Sequence, residues 1–236
     1  MHMKRQIPNL LTLGNLFLGC AAILALLRGE YETAFWCFFG SVFLDFGDGL
    51  VARLLNVQGP LGKELDSLAD MVSFGVVPGT AYFVMLGGSI DDEPLFGLPM
   101  LGFVITLFSC LRLAKFNLDT RQTTDFIGLA TPSSTSFAIG LLFMQQYDLL
   151  GLGTWLTRPG ILLLLIAIFS FLLVSEIRLF GGKFKHYGLR GNEFRYGVLA
   201  VAILEIIFFG YAAFALMVLT YLAFALVENK LRPRAV

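Results

Sequence analysis

The sequence predicts an all-α polytopic membrane protein: a helical bundle of about eight transmembrane helices, with six as the alternative. Three observations lead there. Hydrophobic residues fill 57% of the 236 positions and charged residues only 14%, against about 25% charged in an ordinary soluble domain. The apolar residues, 24 phenylalanines among them, run consecutively over lengths close to the roughly 20 residues that cross a bilayer. Lysines and arginines gather at alternate ends of those runs, as they do in cytoplasmic loops.

Taken in order, the runs place helices near 7–28, 31–57, 61–88, 96–117, 131–149, 158–179, 194–210 and 211–230. The first follows Lys4 and Arg5 and contains "LFLGC", which imitates a lipoprotein leader cleaved before Cys20. Phe17 suits such a cleavage box poorly and the apolar run continues to Leu27, so a retained spanning helix is expected. The second and third runs are separated by "NVQGPLG", where Gly59, Pro60 and Gly62 are read as a turn. The third and fourth are separated by the acidic "DDE" at 91–93. The last two are short, divided only by "GYAAF", and could form one kinked element. With the N-terminus inside, 15 of the 17 lysines and arginines fall on the cytoplasmic side, leaving Arg28 and Arg158 outside. Both termini are therefore expected in the cytoplasm, with the protein integral to the cell membrane.

Other classes fall away. Zero net charge gives no basic surface for nucleic acid. Cys20, Cys37 and Cys110 form no C-x-x-C pair, so neither a disulfide framework nor a zinc site is expected. His2 and His186 are the only histidines, which leaves histidine chemistry without support. With no linker or internal repeat, residues 1–236 are expected to form a single membrane-embedded domain, and the polar loop 181–195 is expected to face anionic lipid headgroups.

Against this apolar background, "DFGDGLVARLLNVQGPLGKELDSLAD" (45–70) carries four aspartates. Asp45 and Asp48 are three apart and Asp66 and Asp70 four apart, so each pair shares a helix face. If the two segments fold as an antiparallel hairpin, 45 stands level with 70 and 48 with 66, about 5–12 Å inside the cytoplasmic boundary. Each buried acid costs about 2.5–3.5 kcal/mol even on lenient insertion scales. Hard divalent cations relieve that cost through oxygen ligands, and two of them clamp a phosphoryl group in transfer. A structural ion-pair cluster is the plain alternative, and a cation or proton transporter using intramembrane carboxylates is the alternative of another class. Transport does not explain Gly49 and Ala52, which lack bulk and let a ligand or neighbouring helix approach the backbone, or Arg53, which can fork onto phosphate and otherwise reads as a cytoplasmic membrane anchor.

The full pattern, Asp45, Asp48, Gly49, Ala52, Arg53, Gly62, Asp66 and Asp70, resembles the signature of the CDP-alcohol phosphatidyltransferases at every fixed position. The resemblance implies transfer of a phosphatidyl group from a CDP-linked lipid to an alcohol, with release of CMP. It implies two divalent ions, Mg2+ or Mn2+ with Ca2+ as a further candidate, held by all four aspartates, and Asp70 as general base. It nominates Gly49, Ala52, Arg53 and Gly62 as contacts for the CDP-lipid, joined by Asn9 and Thr12 of "PNLLT". It also implies a homodimer. The arrangement of the second and third helices is expected to present the metals to a cytoplasm-facing cavity that the lipid donor enters sideways between helices.

Outside the signature, "IPNLLTLGNLFLG", "DSLADMVSFGVVPG", "RLAKFN" and "DFIGLATPSS" resemble the membrane-embedded phosphatidylserine synthases within that family. This implies CDP-diacylglycerol and L-serine as substrates. Arg112 is the candidate for the serine carboxylate, with Lys115 and Ser73 as further candidates, although basic residues there also serve as membrane anchors. Glycerol phosphate or inositol phosphate is the alternative acceptor. Glu205, deep in the seventh run, is expected to make an interhelical or intersubunit hydrogen bond, and Glu176 lies beside Arg178 near the end of the sixth.

Overall fold

The computed structural model describes residues 2–89, 96–119, 125–180, 188 and 192–231. Expectations resting on 91–93, Arg121, Lys183, Lys185, His186, Arg190, Arg232 and Arg234 lie outside these residues. The chain forms two compact units, Met1–Leu113 and Ala114–Val236.

The first unit opens with α1 (His2–Leu27) and α2 (Tyr31–Leu54). Gly29 ends α1 in the left-handed conformation, φ 73°. There Glu30 N donates to Ala25 O at 2.9 Å and Gly29 N to Leu26 O at 3.1 Å. This Schellman pair satisfies carbonyls that a helix end leaves orphaned. The same motif ends α2, with asparagine in place of glycine. Asn56 has φ 51°, Val57 N donates to Ala52 O at 3.0 Å and Asn56 N to Arg53 O at 3.1 Å.

Pro60 then starts α3 (Pro60–Asp70) at a position where a missing N–H costs nothing. The turn differs from the sequence expectation here. Gly62 lies inside the first turn of α3, and the chain is stopped by Asn56, one of the few residue types besides glycine that adopt left-handed backbone readily.

The expected uninterrupted helix 61–88 also differs. After Asp70 it widens into a π-helical stretch, Met71–Val76, before α4 (Val77–Met85). Pro78 explains the change: it supplies no N–H and its ring crowds the preceding turn, and a π-bulge absorbs such strain. Within the bulge the Gly75 carbonyl accepts Thr106 Oγ1 at 2.7 Å. A 3-10 segment, Leu98–Phe103, leads into α5 (Val104–Leu118).

In the second unit α6 (Thr131–Gln146) is the central helix, buried along most of its length. It is flanked by α7 (Gly153–Leu156), α8 (Pro159–Val174) and α10 (Ala213–Leu231), and α9 (Glu193–Phe209) packs on α10. Phe137 and Phe169 stack at 4.0 Å between α6 and α8. The sixth run ends earlier than 179. Ser175 turns extended after α8, and β2 (Arg178–Phe180) pairs antiparallel with β1 (Asp125–Ile127).

Five stretches among the described residues are long and apolar enough to cross a membrane: Gln6–Leu27, Tyr31–Leu54, Pro60–Met85, Leu98–Leu118 and Glu193–Leu231. The last is 39 residues long and is broken at Gly210, φ 55°. Its halves α9 and α10 pack on each other, as the Thr220 Oγ1 donation to Glu205 Oε1 at 2.6 Å shows. It is therefore a hairpin and not one kinked rod. All eight predicted runs contain helix, and among the described residues the chain is an all-α integral membrane protein apart from the short strand pair.

Candidate active site

Three helices of the first unit each carry a polar stripe at helical spacing. On α1 it is Asn9, Thr12 and Asn15; on α2, Ser41, Asp45 and Asp48; on α3 and the π-bulge, Asp66, Asp70 and Ser73. Residues three and four apart share a face, so each stripe looks one way. α1 packs closely on both α2 and α3, which brings the stripes together. Gly19 permits this approach, because a Cβ there would meet the Ser73 Cα at 2.9 Å.

Carboxylate oxygens of Asp45, Asp48 and Asp66 lie within 4.8 Å of one another. The Asp70 carboxyl stands beside that of Asp45. Asp48 is buried, 6% exposed, and the other three are half-buried. Arg112, also buried, is close enough to feel the charges of Asp70 and Asp45. One guanidinium cannot balance four carboxylates, and packed like charges in a poorly solvated site repel strongly. The donor set consists of hard oxygens alone, the chemistry that divalent Mg2+, Mn2+ or Ca2+ selects. The residues therefore fit a divalent metal ion.

Thr12 reinforces the cluster. The residue is 3% exposed, and its hydroxyl lies 3.1 Å from Pro8 O and 2.5 Å from Asp48 Oδ2. A neighbouring cavity of about 760 Å³ is bounded by Asn9 and Thr12 of α1, by Asp48, Gly49 and Ala52 of α2, and by Gly62, Lys63 and Asp66 of α3. Gly62 stands next to Asn9 there: a Cβ would make ordinary contact with Asn9 Oδ1, at 3.8 Å. Asp48 and Asp66 thus face the cavity, and Asp45 and Asp70 lie on the far side of the cluster, towards Arg112.

Most of the residues singled out from sequence line this cavity or its acidic wall. Arg53 does not: it is exposed and its Nε donates to Gly49 O at 2.9 Å. Lys63 is the cation found among the lining residues. The Ser73 hydroxyl donates to Asn15 O at 3.0 Å, which engages it in helix packing and leaves less for a substrate. Lys115 is exposed, one turn beyond Arg112, and falls in the second unit. Glu205 makes an interhelical hydrogen bond to Thr220, and Glu176 is exposed.

Two residues escaped the sequence reading. Asn15 is fully buried, and its Nδ2 donates to Asp70 Oδ1 at 3.2 Å. Ser41, equally buried, donates to Asn15 Oδ1. The signal was present: Asn15 continues the stripe of Asn9 and Thr12, and Ser41 lies four residues before Asp45.

Comparison with known proteins agrees with this geometry. The CDP-alcohol phosphatidyltransferase family model matches residues 5–227. The chain is 36% identical over 191 residues to the CDP-diacylglycerol–serine O-phosphatidyltransferase of Bacillus subtilis (strain 168), spanning 79% of this chain and 94% of that one. It is 32% identical over 175 residues to the enzyme of that name from Helicobacter pylori (strain ATCC 700392 / 26695), with 72% and 70% covered. A Saccharomyces cerevisiae enzyme of the same name is 32% identical over 167 residues, with 64% and 58% covered. The match along nearly the whole chain, together with the convergent aspartates, shows that this protein belongs to the CDP-alcohol phosphatidyltransferase family.

Proposed function

We propose that the protein transfers the phosphatidyl group of CDP-diacylglycerol to the hydroxyl of L-serine, giving phosphatidylserine and CMP. The observation that carries this reading is the convergence of the four aspartates beside a cavity that Asp48 and Asp66 line, together with Gly49, Ala52 and Gly62. The names of the relatives support serine as the acceptor.

The cavity beside Asp48 and Asp66 takes the CDP end of the donor. Gly49, Ala52 and Gly62 let the nucleotide approach backbone, Asn9 and Thr12 offer polar contacts, and Lys63 offers positive charge for the diphosphate. Arg53, folded on Gly49 in this structure, can swing to the same diphosphate.

Asp45, Asp48, Asp66 and Asp70 would hold two divalent ions, Mg2+ or Mn2+, which supply charge compensation to the phosphoryl oxygens and the leaving CMP. Asp70 accepts the serine hydroxyl proton as the serine oxygen bonds to the phosphatidyl phosphorus. The bond from that phosphorus to the bridging oxygen breaks, and CMP departs with the oxygen. Arg112, on the Asp70 side, is suited to fork onto the serine carboxylate.

Both termini and the site belong to the cytoplasmic face in this proposal, supported by the distribution of basic residues. The eight helical runs are eight passes, the lipid donor arrives laterally, and a homodimer is carried over from the resemblance. The testing experiment incubates purified protein with CDP-diacylglycerol, a divalent ion and single alcohols, and measures CMP. Serine-dependent release that chelation abolishes supports the reading. Release with glycerol phosphate or inositol phosphate, and none with serine, overturns the acceptor.

A further inference from the structure

Asn15 is a primary amide placed at 0% exposure, at the inner end of the polar stripe of α1. A buried amide costs several kcal/mol unless its bonds are made, and an apolar side chain would pack there without that cost. Its bonds are made in one direction. An ionised carboxylate only accepts hydrogen bonds, so the amide nitrogen must be the atom that faces Asp70, as the 3.2 Å contact from Nδ2 to Oδ1 has it. The amide oxygen is then left for Ser41, whose hydroxyl must donate. Ser41 is itself at 0% exposure, so water does not compete for either group. The tie between α1 and the π-bulge is separate, because Ser73 bonds the backbone carbonyl of Asn15. That contact survives any side chain at position 15.

We propose that Asn15 is a positioning residue for Asp70 and that Ser41 fixes Asn15 in turn. The chain from Ser41 through Asn15 occupies one Asp70 oxygen and so turns the other towards the acceptor hydroxyl. This rests on the reading of Asp70 as the base. α1, which carries none of the aspartates, thereby sets the geometry of proton removal through Asn15.

The experiment compares the parent with Asn15→Leu, Ser41→Ala and the double variant. It measures steady-state CMP release, CDP-diacylglycerol binding and thermal unfolding in detergent. Asn15→Leu is expected to lower kcat roughly 10- to 100-fold, the worth of a hydrogen bond to a charged group. KM for both substrates, donor binding and the unfolding midpoint are expected to stay near parental. Ser41→Ala, which removes one atom, is expected to lower kcat about 3- to 10-fold. In the Asn15→Leu background the Ser41 change is expected to have no further effect, because coupled groups are non-additive.

Parental kcat in Asn15→Leu overturns the positioning role. So does a kcat loss that follows a matching loss of donor binding and of thermal stability. Independent, multiplying effects of the two substitutions overturn the relay. If the parent itself releases no CMP with serine, the functional reading falls as well; an active parent with an unaffected Asn15→Leu overturns only this inference.

Discussion

Replacing Asp70 by asparagine changes one carboxylate oxygen into an NH2 and almost nothing else. The Asn15 amide then decides which way the new side chain points. Its Nδ2 lies 3.2 Å from Asp70 Oδ1 and is a donor, so the variant's carbonyl oxygen takes that place and its NH2 faces the opposite side. An NH2 has no lone pair available to accept a proton, and it makes a poor metal ligand beside Asp45. A general base is worth about 10²- to 10⁴-fold in rate, which is about 3–5 kcal/mol at 1.36 kcal/mol per decade. Loss of one carboxylate from the metal set pushes towards the upper end. The donor cavity is bounded by Asp48 and Asp66 and not by Asp70, so CDP-lipid affinity should change by less than about threefold, under 0.7 kcal/mol. The assay is CMP release at saturating serine, paired with equilibrium binding of the CDP-lipid to the same preparation. An Asp70→Asn variant that retains kcat within threefold refutes the assignment of the base. A variant that loses CDP-lipid binding in proportion to kcat refutes the separation of donor side from acceptor side.

Four further expectations follow from the same geometry. Chelation should abolish CMP release and added Mg2+ or Mn2+ restore it, while Asp48→Asn should weaken metal binding measured by calorimetry; an unchanged metal isotherm would remove Asp48 from the ligand set. Arg112→Lys keeps the charge near Asp70 but loses the planar fork, so KM for serine should rise roughly 10-fold with kcat little changed, the worth of one charge-assisted bond. Asn56 holds left-handed backbone at φ 51°, so Asn56→Val should cost about 1–2 kcal/mol in thermal or denaturant unfolding and Asn56→Gly almost nothing. Thr220→Val removes the 2.6 Å bond to Glu205 and should cost about 0.6–1.7 kcal/mol, with no further loss when Glu205→Gln is added if the pair acts as a unit.

The local signals explain how much could be read in advance. Helices follow from long apolar runs, because a bilayer-length stretch must satisfy its own backbone hydrogen bonds. The approach of Asp45, Asp48 and Asp66 follows from spacing, since residues three and four apart share a face and a short turn makes the segments antiparallel. What lay beyond reach depends on neighbours distant in sequence. Asn15 touches a group 55 residues away and Ser41 one 26 away, and nothing in either local stretch names its partner. The π-bulge required knowing how Pro78 is accommodated, whether by kink or by widening, and packing chose widening. The short pairing of Asp125–Ile127 with Arg178–Phe180 joins segments about fifty residues apart, too brief for any strand periodicity to announce.

The sequence by itself therefore determined the class of fold, the membrane residence and the acidic chemistry, all of which are written in composition and in periods of three to four. Only the tertiary structure decided that α1 packs against both acid-bearing helices, that Arg53 folds onto Gly49 O while Lys63 lines the cavity, and that Ser73 is engaged in helix packing. Those outcomes depend on which surfaces meet, and a side chain's partner is set by the packing of whole helices and not by its neighbours in the chain.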